Sequence, residues 1–366
     1  MVRILAEAGD AHFHVAIREA PPLTLHGRSC WRTDGNSPVR IVHDRATVFF
    51  SRYQPHGHTL RRCGPRDLAF TDQPVPVRLV NDSDPRVGKW IEAIWQPPSG
   101  PLRGWYHAEE PAACTEAQLH VPFIGEAESD DDGLTWRCVR ELLRLPADQA
   151  DCGWRNGFFA GGYGDLSVVP DRSGRTLYLF FSSYHPAEDA QGVAALRLPA
   201  DTSSATPSWW TASGWRTVGE LRPKPIWPAV RGFRHRDPDC FWGPAVHYNH
   251  ALKAYVMLLN RTAGGDGDLL QEGIYASMND AIDDPGKWTT PLRIVQGGAW
   301  YPQAVGLGEG CGDTEVATAA RFFMAGFSGW EIEFASPAAS GTTNRPLTCT
   351  KQDFAEMFGA DRRCPW

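Results

Sequence analysis

Carboxylate side chains recur in this 366-residue sequence just before, or early in, stretches that are typical of buried β-strands. Asp34 stands in WRTDGNSP, Glu92 in KWIEAIW and Asp165 in GGYGDLSVV, while Asp237 and Asp239 stand in HRDPDCFWGP. Carboxyl groups that are held in different protonation states act as general acids, general bases or nucleophiles. If the fold brings these acids to one place, they form an acid–base site.

The element that must position each acid is an apolar hairpin, which the sequence repeats. Copies begin at residues 37, 90, 161, 241 and 301, and a more polar second hairpin follows copies two, three and four. Four strands per repeat are the composition of a propeller blade. We therefore expect an all-β fold, a single five-bladed β-propeller of four-stranded antiparallel blades.

The expected propeller domain spans residues 1–366. Its approximate blades are 37–88, 89–150, 160–222, 238–296 and 300–336, and residues 337–366 form a C-terminal extension. The segment DAHFHVAIRE, before the first blade, is expected to supply the strand that completes the last blade. Helical periodicity is restricted to short stretches near 144–150, 278–284 and 355–361.

All innermost strands of a propeller run the same way along its axis. Residues that precede the first strand, or follow the second strand, of each blade therefore converge at one mouth. Acids together with polar and aromatic side chains are the mixture that binds sugars. The candidate substrate-binding residues are Glu92, His107, Asp239, Trp242, Arg261, Tyr301, Gln303 and Trp330.

The turn SDDDGLTW, residues 129–136, has the pattern S-x-D-x-G-x-T-W. We expect Asp131 to accept backbone N–H groups, Gly133 to take a positive φ and Trp136 to pack beneath the turn. The pattern resembles the Asp-box of sialidases and related propellers. That resemblance implies a marker of the fold and no catalytic role.

The Asp-Gly-Asn-Ser-Pro sequence at Asp34 and the Gly-Asp-x-Ser-Val-Val sequence at Asp165 resemble five-bladed glycoside hydrolases of the arabinanase, β-xylosidase and invertase groups. The resemblance implies cleavage of a glycosidic bond, with Asp34 as base or nucleophile and Asp165 as an orienting or pKa-tuning acid. No segment reproduces the general-acid Glu motif of these families. We assign that role to Glu109 in GWYHAEE, with Glu92 and Glu315 as reserves.

Two other functions remain open at this stage. A glycan-binding propeller without catalysis would keep its Trp residues and tolerate loss of the acids. A lyase acting on uronate polysaccharides would use Arg231, Arg234 and Arg236 to neutralise a sugar carboxylate beside a base such as His247 or Tyr248. A lyase releases unsaturated products that absorb ultraviolet light, whereas a hydrolase releases reducing ends alone.

Charge and hydropathy restrict the partners. The net charge of -7, from 43 acidic and 36 basic residues, is spread along the chain, which argues against nucleic acid. No apolar run approaches the roughly 20 residues that span a bilayer. We therefore expect an oligo- or polysaccharide partner, no membrane or nucleic-acid partner, and a monomer.

The expected location follows from the substrate. Polymeric glycans lie outside cells, which favours a secreted or periplasmic protein whose leader has been removed. The first residues, MVRILAEAGDAHFH, lack the apolar segment of a signal peptide, so a cytoplasmic location is the alternative.

Cysteines and histidines give no zinc pattern. None of the nine cysteines stands in a CxxC pair, and we expect mostly buried thiols, with a Cys349–Cys364 disulfide as an alternative. We expect no required cofactor and assign no metal-ligating residue. A Ca2+ ion held on the axis by carboxylates, water and carbonyls is a hypothesis that such a crowded acid site suggests.

Overall fold

The computed structural model describes residues 4–5, 13–27, 32–51, 59–114, 118–202, 204–263, 270–308, 310–336 and 347–349. These residues form a propeller-like arrangement of small, largely antiparallel sheets, five in number. The expected all-β class is confirmed. No helix in this part of the chain is long and apolar enough to span a bilayer.

Strands β1 (Ile4–Leu5) and β2 (His14–Thr24) begin the chain and belong to its last sheet. The first sheet contains β3 (Val39–Val42), β4 (Arg45–Ser51), β5 (Thr59–Pro65) and β6 (Val75–Pro76), paired in sequence order. Residues 46–51 of β4 are all buried, because neighbouring sheets cover both of its faces.

The second sheet contains β7 (Arg78–Val80), β8 (Gly88–Trp95), β9 (Leu102–Pro111), β10 (His120–Ser129) and β11 (Thr135–Leu143). Strand β7 pairs in parallel with the outer strand β11, so this sheet begins earlier than the expected residue 89. The third sheet contains β12 (Gly162–Pro170), β13 (Thr176–Tyr184), β14 (Gly192–Pro199), β15 (Ser208–Thr211), β16 (Gly214–Thr217) and β17 (Trp227–Pro228).

The fourth sheet contains β18 (Asp239–Asn249), β19 (Ala254–Ala263), β20 (Gln271–Asn279) and β21 (Leu292–Gly297). The fifth is built on β22 (Gln303–Val305), while β23 (Glu315–Val316) joins the fourth sheet. Strands β24 (Ala319–Met324) and β25 (Phe327–Ala335) continue the fifth, and β26 (Leu347–Cys349) pairs with β21. Among the described residues, three single-turn 3-10 helices occur, at Ala147–Gln149, Glu188–Ala190 and Pro285–Lys287; the stretch 355–361 lies outside these residues.

The two ends of the chain meet in the fifth sheet. Strand β2 pairs antiparallel with β25, with Ile17 opposite Ile332 and Val15 opposite Phe334. These four side chains are at most 2% exposed. The segment DAHFHVAIRE therefore contributes to the strand that completes the last sheet, as its sequence predicts.

The turn 129–136 adopts the geometry that its sequence predicts. Asp131 Oδ1 accepts the N–H of Thr135 at 2.7 Å, Gly133 has a φ of +82°, and Trp136 is fully buried beneath the turn. Asp132, the next acid of the turn, forms ion pairs with Arg40 and Arg61 of the first sheet. The turn thus fastens the second sheet to the first.

Cys114 and Cys152 form a disulfide bond that sequence reasoning missed. The two residues are 38 positions apart, in the β9–β10 loop and in the segment before β12. The expectation of mostly buried thiols is wrong for this pair, whose sulfur atoms are bonded to each other. The alternative Cys349–Cys364 bond involves a residue outside the described part of the chain.

Replacing Cys114→Ser and Cys152→Ser together is expected to lower the free energy of unfolding by about 2–4 kcal/mol, because the unfolded chain loses the constraint of a closed loop. Thermal unfolding with and without reductant measures this change. Wild type and a Cys311→Ser control, which keeps the disulfide, should lose stability in reductant, whereas the stability of the double variant should not change. An unchanged Tm in the double variant under oxidising conditions would contradict this role.

Candidate active site

Four carboxyl groups and one imidazole, contributed by the second sheet, the third sheet and the loop before β3, form one cluster. His107 lies at its centre: its Nδ1 is 3.3 Å from Glu92 Oε1 and 3.8 Å from Asp165 Oδ1, and its Nε2 is 3.6 Å from Glu109 Oε1. The charges of His107 and Asp165 also act on the carboxyl of Asp34. We call these five residues the acid–imidazole cluster.

Two of the acids occupy positions where an inner strand departs from regular pairing. Glu92 is skipped in the β8–β9 register, and Asp165 is skipped in the β12–β13 register. A bulge of this kind redirects one side chain out of the alternation of a strand. Asp165 also has a φ of +42°, which non-glycine residues rarely adopt. Local backbone distortion therefore turns both carboxylates into the cluster.

Two glycines allow the backbone to approach these side chains. A Cβ atom on Gly35, whose φ is +132°, would lie 2.2 Å from Glu92 Oε1. A Cβ atom on Gly164 would lie 2.8 Å from His107 Nε2. The glycines next to Asp34 and Asp165 in the sequence are thus required by packing around the cluster.

The buried acids are held by hydrogen bonds from the third sheet. Glu92 Oε2 accepts the backbone N–H of Leu166 at 2.7 Å. Tyr184 donates its hydroxyl hydrogen to Asp165 Oδ2. Glu92 and Asp165 have side chains that are 0% and 3% exposed, so neither carboxylate can move without losing a partner.

Asp34 is held differently. Its backbone N–H donates to Ser51 Oγ at 2.8 Å, and the hydroxyl of Tyr301 donates to its Oδ1 at 3.3 Å. Tyr301 itself has a φ of +56° and packs edge-on against Trp242, with ring centroids 5.7 Å apart. Tyr301 therefore orients the Asp34 carboxylate from a fixed position.

The environment of each group sets its protonation. Burial raises the pKa of Glu109 to about 8. The charge of His107 opposes this rise, and the negative charges of Asp34, Asp165 and Glu92 add to it. Burial likewise raises the pKa of Asp34 to about 6, with the charge of His107 opposing and that of Asp165 adding. At neutral pH, Glu109 therefore carries a proton and Asp34 is ionised.

The remaining two titrating groups lie deeper. Burial raises the pKa of Glu92 to about 7. Burial alone would lower the pKa of His107, but its hydrogen bond with Glu92 and the charges of Glu92, Asp165 and Glu109 raise it to about 10. The side chain of Glu109 is 25% exposed, whereas that of His107 is 5% exposed. Glu109 and the half-buried Asp34 are thus the members that a ligand can reach.

Glu92, His107 and Asp165 place three ligand atoms within 4.8 Å of one another, which raises the question of a metal ion. Glu92 Oε2 and Asp165 Oδ2 accept hydrogen bonds from Leu166 and Tyr184, and Glu92 Oε1 is paired with His107 Nδ1, so three of the four carboxylate oxygens of this trio are already engaged. Ca2+ prefers about six to eight oxygen ligands. This donor set does not fit the calcium ion that the crowded acids suggested.

Three predicted binding residues lie away from sugar-accessible positions. Both polar atoms of the Gln303 amide bond the backbone of Ser37, at 2.8 and 3.2 Å, so Gln303 joins the fifth sheet to the first. Trp330 is 3% exposed within the hydrophobic core of the fifth sheet, and Trp242 is 2% exposed behind Tyr301. Burial excludes both Trp rings from stacking on a ligand.

Two further predictions concern charged residues. Asp239 and Arg261 pair with each other at 3.0 Å across the β18–β19 hairpin, with side chains 20% and 29% exposed. Glu315 forms ion pairs with Arg172 and His250 beside Tyr248, at the opposite end of β18 from Asp239. Glu315 is therefore excluded as a general acid.

Sequence reasoning missed the residues that hold the cluster in place. Tyr184 carried a signal, since it follows the serine pair at the end of β13, but its bond to Asp165 depends on the bulge. Asn36 donates its Nδ2 hydrogens to the carbonyl oxygens of Leu166 and Pro244, at 2.8 Å each. This residue ties the loop carrying Asp34 to the third and fourth sheets.

No protein-family model matches the chain, and no curated protein matches it. Solved structures do resemble it. One described as a glycoside hydrolase aligns with a TM-score of 0.50 and 12% identity, over 91% of this chain and 95% of that chain. A Bacillus subtilis arabinanase aligns with a TM-score of 0.45 and 12% identity, over 84% and 96%.

An α-L-arabinofuranosidase from Podospora anserina, solved with cellotriose, aligns with a TM-score of 0.46 and 13% identity, over 92% of this chain and 98% of that chain. At these identities the likeness shows the fold alone. The glycoside hydrolase that aligns with a TM-score of 0.50 shares this fold.

Thermal stability is expected to fall as the pH rises from about 6.5 to about 9.5. Glu109 and His107 have folded-state pKa values raised to about 8 and about 10, so the folded chain binds more protons than the unfolded chain in this range. Their contribution is present below the unfolded pKa values and is lost as pH rises through the folded ones. Glu109→Gln should make the decline in Tm shallower.

The matched control is Glu110→Gln, since Glu110 is the next residue of β9 and pairs with Arg144 on the surface. It should leave the slope of Tm against pH as in wild type. Equal slopes in wild type and Glu109→Gln would show that the Glu109 carboxyl does not titrate as described.

Proposed function

We propose that this protein is a glycoside hydrolase that cleaves a glycosidic bond of a plant or microbial glycan at the acid–imidazole cluster. The observation that carries the proposal is the pair Asp34 and Glu109. Both are partly accessible, and their environments hold one ionised and the other protonated at neutral pH. Two carboxyl groups in these states are what hydrolysis of a glycosidic bond requires.

In the proposed reaction, Glu109 donates its proton to the glycosidic oxygen as the bond from that oxygen to the anomeric carbon breaks. Asp34 either takes a proton from the attacking water or attacks the anomeric carbon itself. A carboxyl separation of about 6.5–9.5 Å goes with the first route and one of about 5 Å with the second. The rate should be highest where Asp34 is ionised and Glu109 protonated.

Asp165 acts as the pKa-tuning acid in this proposal. Its carboxylate, fixed by Tyr184, contributes negative charge that raises the pKa of both Asp34 and Glu109. Tyr301 orients the base through its bond to Asp34. Asp239 and Arg261 are proposed to contact more distant parts of the substrate, because they remain partly exposed.

The architecture and setting complete the proposal. Each of the five sheets is taken as one blade of a five-bladed propeller, and the turn 129–136 as an Asp-box. The disulfide between Cys114 and Cys152 supports a secreted or periplasmic location, because such bonds persist mainly in oxidising compartments. The partner is an oligo- or polysaccharide, and the protein acts as a monomer.

The lyase alternative finds less support. His247 is 1% exposed against Phe334, and burial lowers its pKa to about 3. Tyr248 lies at the end of β18 that is remote from Arg231, which pairs with Asp237 near the start of that strand. The candidate base and the candidate arginines therefore do not face a common substrate.

Asp34→Asn and Glu109→Gln are each expected to lower kcat/KM on a cleavable glycan by about 100-fold to 10,000-fold, because each removes a proton-transfer group. A panel of aryl glycosides and polysaccharides, read for reducing ends and ultraviolet absorbance together, measures this change. The control is Asp44→Asn, whose carboxylate is 91% exposed in the β3–β4 turn. Substantial activity in Asp34→Asn, at unchanged Tm, would rule out Asp34 as the base or nucleophile.

A further inference from the structure

We infer that His107 is a permanently charged positioning residue, and that its imidazolium, in place of a bound metal ion, sets the charge of the acid–imidazole cluster and receives the Glu109 carboxylate after proton transfer. The kinetic part of this inference rests on the proposed hydrolase function. The charge on His107 is measurable without any substrate.

The surroundings of Nδ1 favour a proton on that atom. Glu92 Oε1 lies 3.3 Å away and Asp165 Oδ1 lies 3.8 Å away, while the backbone N–H of Asp165 approaches to 3.3 Å. A protonated Nδ1 donates to Glu92, whereas an unprotonated one accepts from Asp165. The two buried carboxylate oxygens stabilise a positive charge on the ring more than the single amide dipole opposes it, so they favour the protonated form of Nδ1.

The surroundings of Nε2 connect the imidazole to the general acid. Nε2 is buried and has no hydrogen-bond partner among the described residues, and it lies 3.6 Å from Glu109 Oε1. Gly164 closes the ring in from another side, since a Cβ there would lie 2.8 Å from Nε2. A Glu109 shift of less than about 1 Å brings this pair to hydrogen-bond distance.

That shift of Glu109 becomes favourable only after its proton has moved to the leaving oxygen. While Glu109 is protonated, its neutral carboxyl has little attraction for the imidazolium. When Glu109 gives its proton to the leaving oxygen, a carboxylate forms beside a cation, and the Nε2–H bond closes on it. His107 keeps both of its protons throughout, so it stabilises the product of proton transfer without exchanging a proton itself.

The groups that face His107 from each neighbouring element agree with this role. Glu92 and the ring of Trp90, whose centroid is 5.4 Å away, face it from β8, Glu109 from its own strand, and Asp165 from β12. The charge of His107 lowers the pKa of Asp34, Glu92 and Glu109 alike. Loss of this cation would push the pKa of each of them upward.

The first experiment measures the protonation state of the His107 ring. In 15N-histidine-labelled wild type, the His107 ring, identified by its loss in His107→Gln, should carry hydrogen on both nitrogens from pH 6.5 to about pH 9. In Glu92→Gln its deprotonation should move to lower pH, while His250→Gln, altered on the surface beside Glu315, should leave it unchanged. A neutral ring with unprotonated Nδ1 at pH 7 would overturn the inference.

The second experiment measures the coupling between His107 and Glu109 during turnover. His107→Gln should lower kcat by about 100-fold with little change in KM, and both limbs of the pH–rate profile should move to higher pH. In a Glu109→Gln background the same change should add little. Lowered stability with unmoved limbs, or a full additional loss in the Glu109→Gln background, would reduce His107 to a structural role.

A third experiment tests whether His107 or a bound metal ion supplies the positive charge of the acid–imidazole cluster. Wild type dialysed against a chelator should keep its activity and its His107 signals. Activity that is lost on dialysis and restored by Ca2+ alone would show that a metal supplies the charge. If wild type hydrolyses no glycan, the proposed function fails, and the ring protonation still decides the inference about His107.

Discussion

Within the described part of the chain, several inner strands have an edge without a strand partner, and buried side chains of neighbouring sheets accept hydrogen bonds from the backbone there. This holds for β8, β12 and the first half of β18. The bonds run from Ile91 N–H to Thr59 Oγ1, Leu166 N–H to Glu92 Oε2 and Gly243 N–H to Ser182 Oγ, at 2.7–2.8 Å. Unpaired backbone groups are costly to bury, so the propeller-like fold depends on these polar side chains.

The same constraint produces the candidate site. Glu92 is a carboxylate that the fold needs as a backbone acceptor, and its burial forces a cation to lie close by. His107 meets that need, and Asp165 and Glu109 then come within 4 Å of the imidazole. Structural and chemical roles are therefore joined in the cluster: the residues that fix the sheets to one another also set which carboxyl group carries a proton.

Much of this arrangement could be predicted from sequence. Repeated hairpins predicted the all-β class and the closing strand, and the S-x-D-x-G-x-T-W pattern predicted the turn 129–136. The acids Glu92 and Asp165 lie within inner strands, at bulges that no sequence pattern marked. The disulfide could not be predicted, because loop proximity has no periodic signal. The buried positions of Gln303 and Trp330 could not be predicted either. Both faces of a strand are covered in stacked sheets, so the alternation of side chains does not distinguish one that faces a ligand from one that faces the next sheet.

The central claim is that Glu109 protonates the leaving group. The most direct measurement is the dependence of kcat/KM on leaving-group pKa, across aryl glycosides of one sugar, in wild type and Glu109→Gln. We predict a shallow dependence in wild type and a steep one in the variant, with the two converging for the most acidic phenols, since those depart without a proton. Parallel dependences at all leaving groups would contradict the assignment of Glu109.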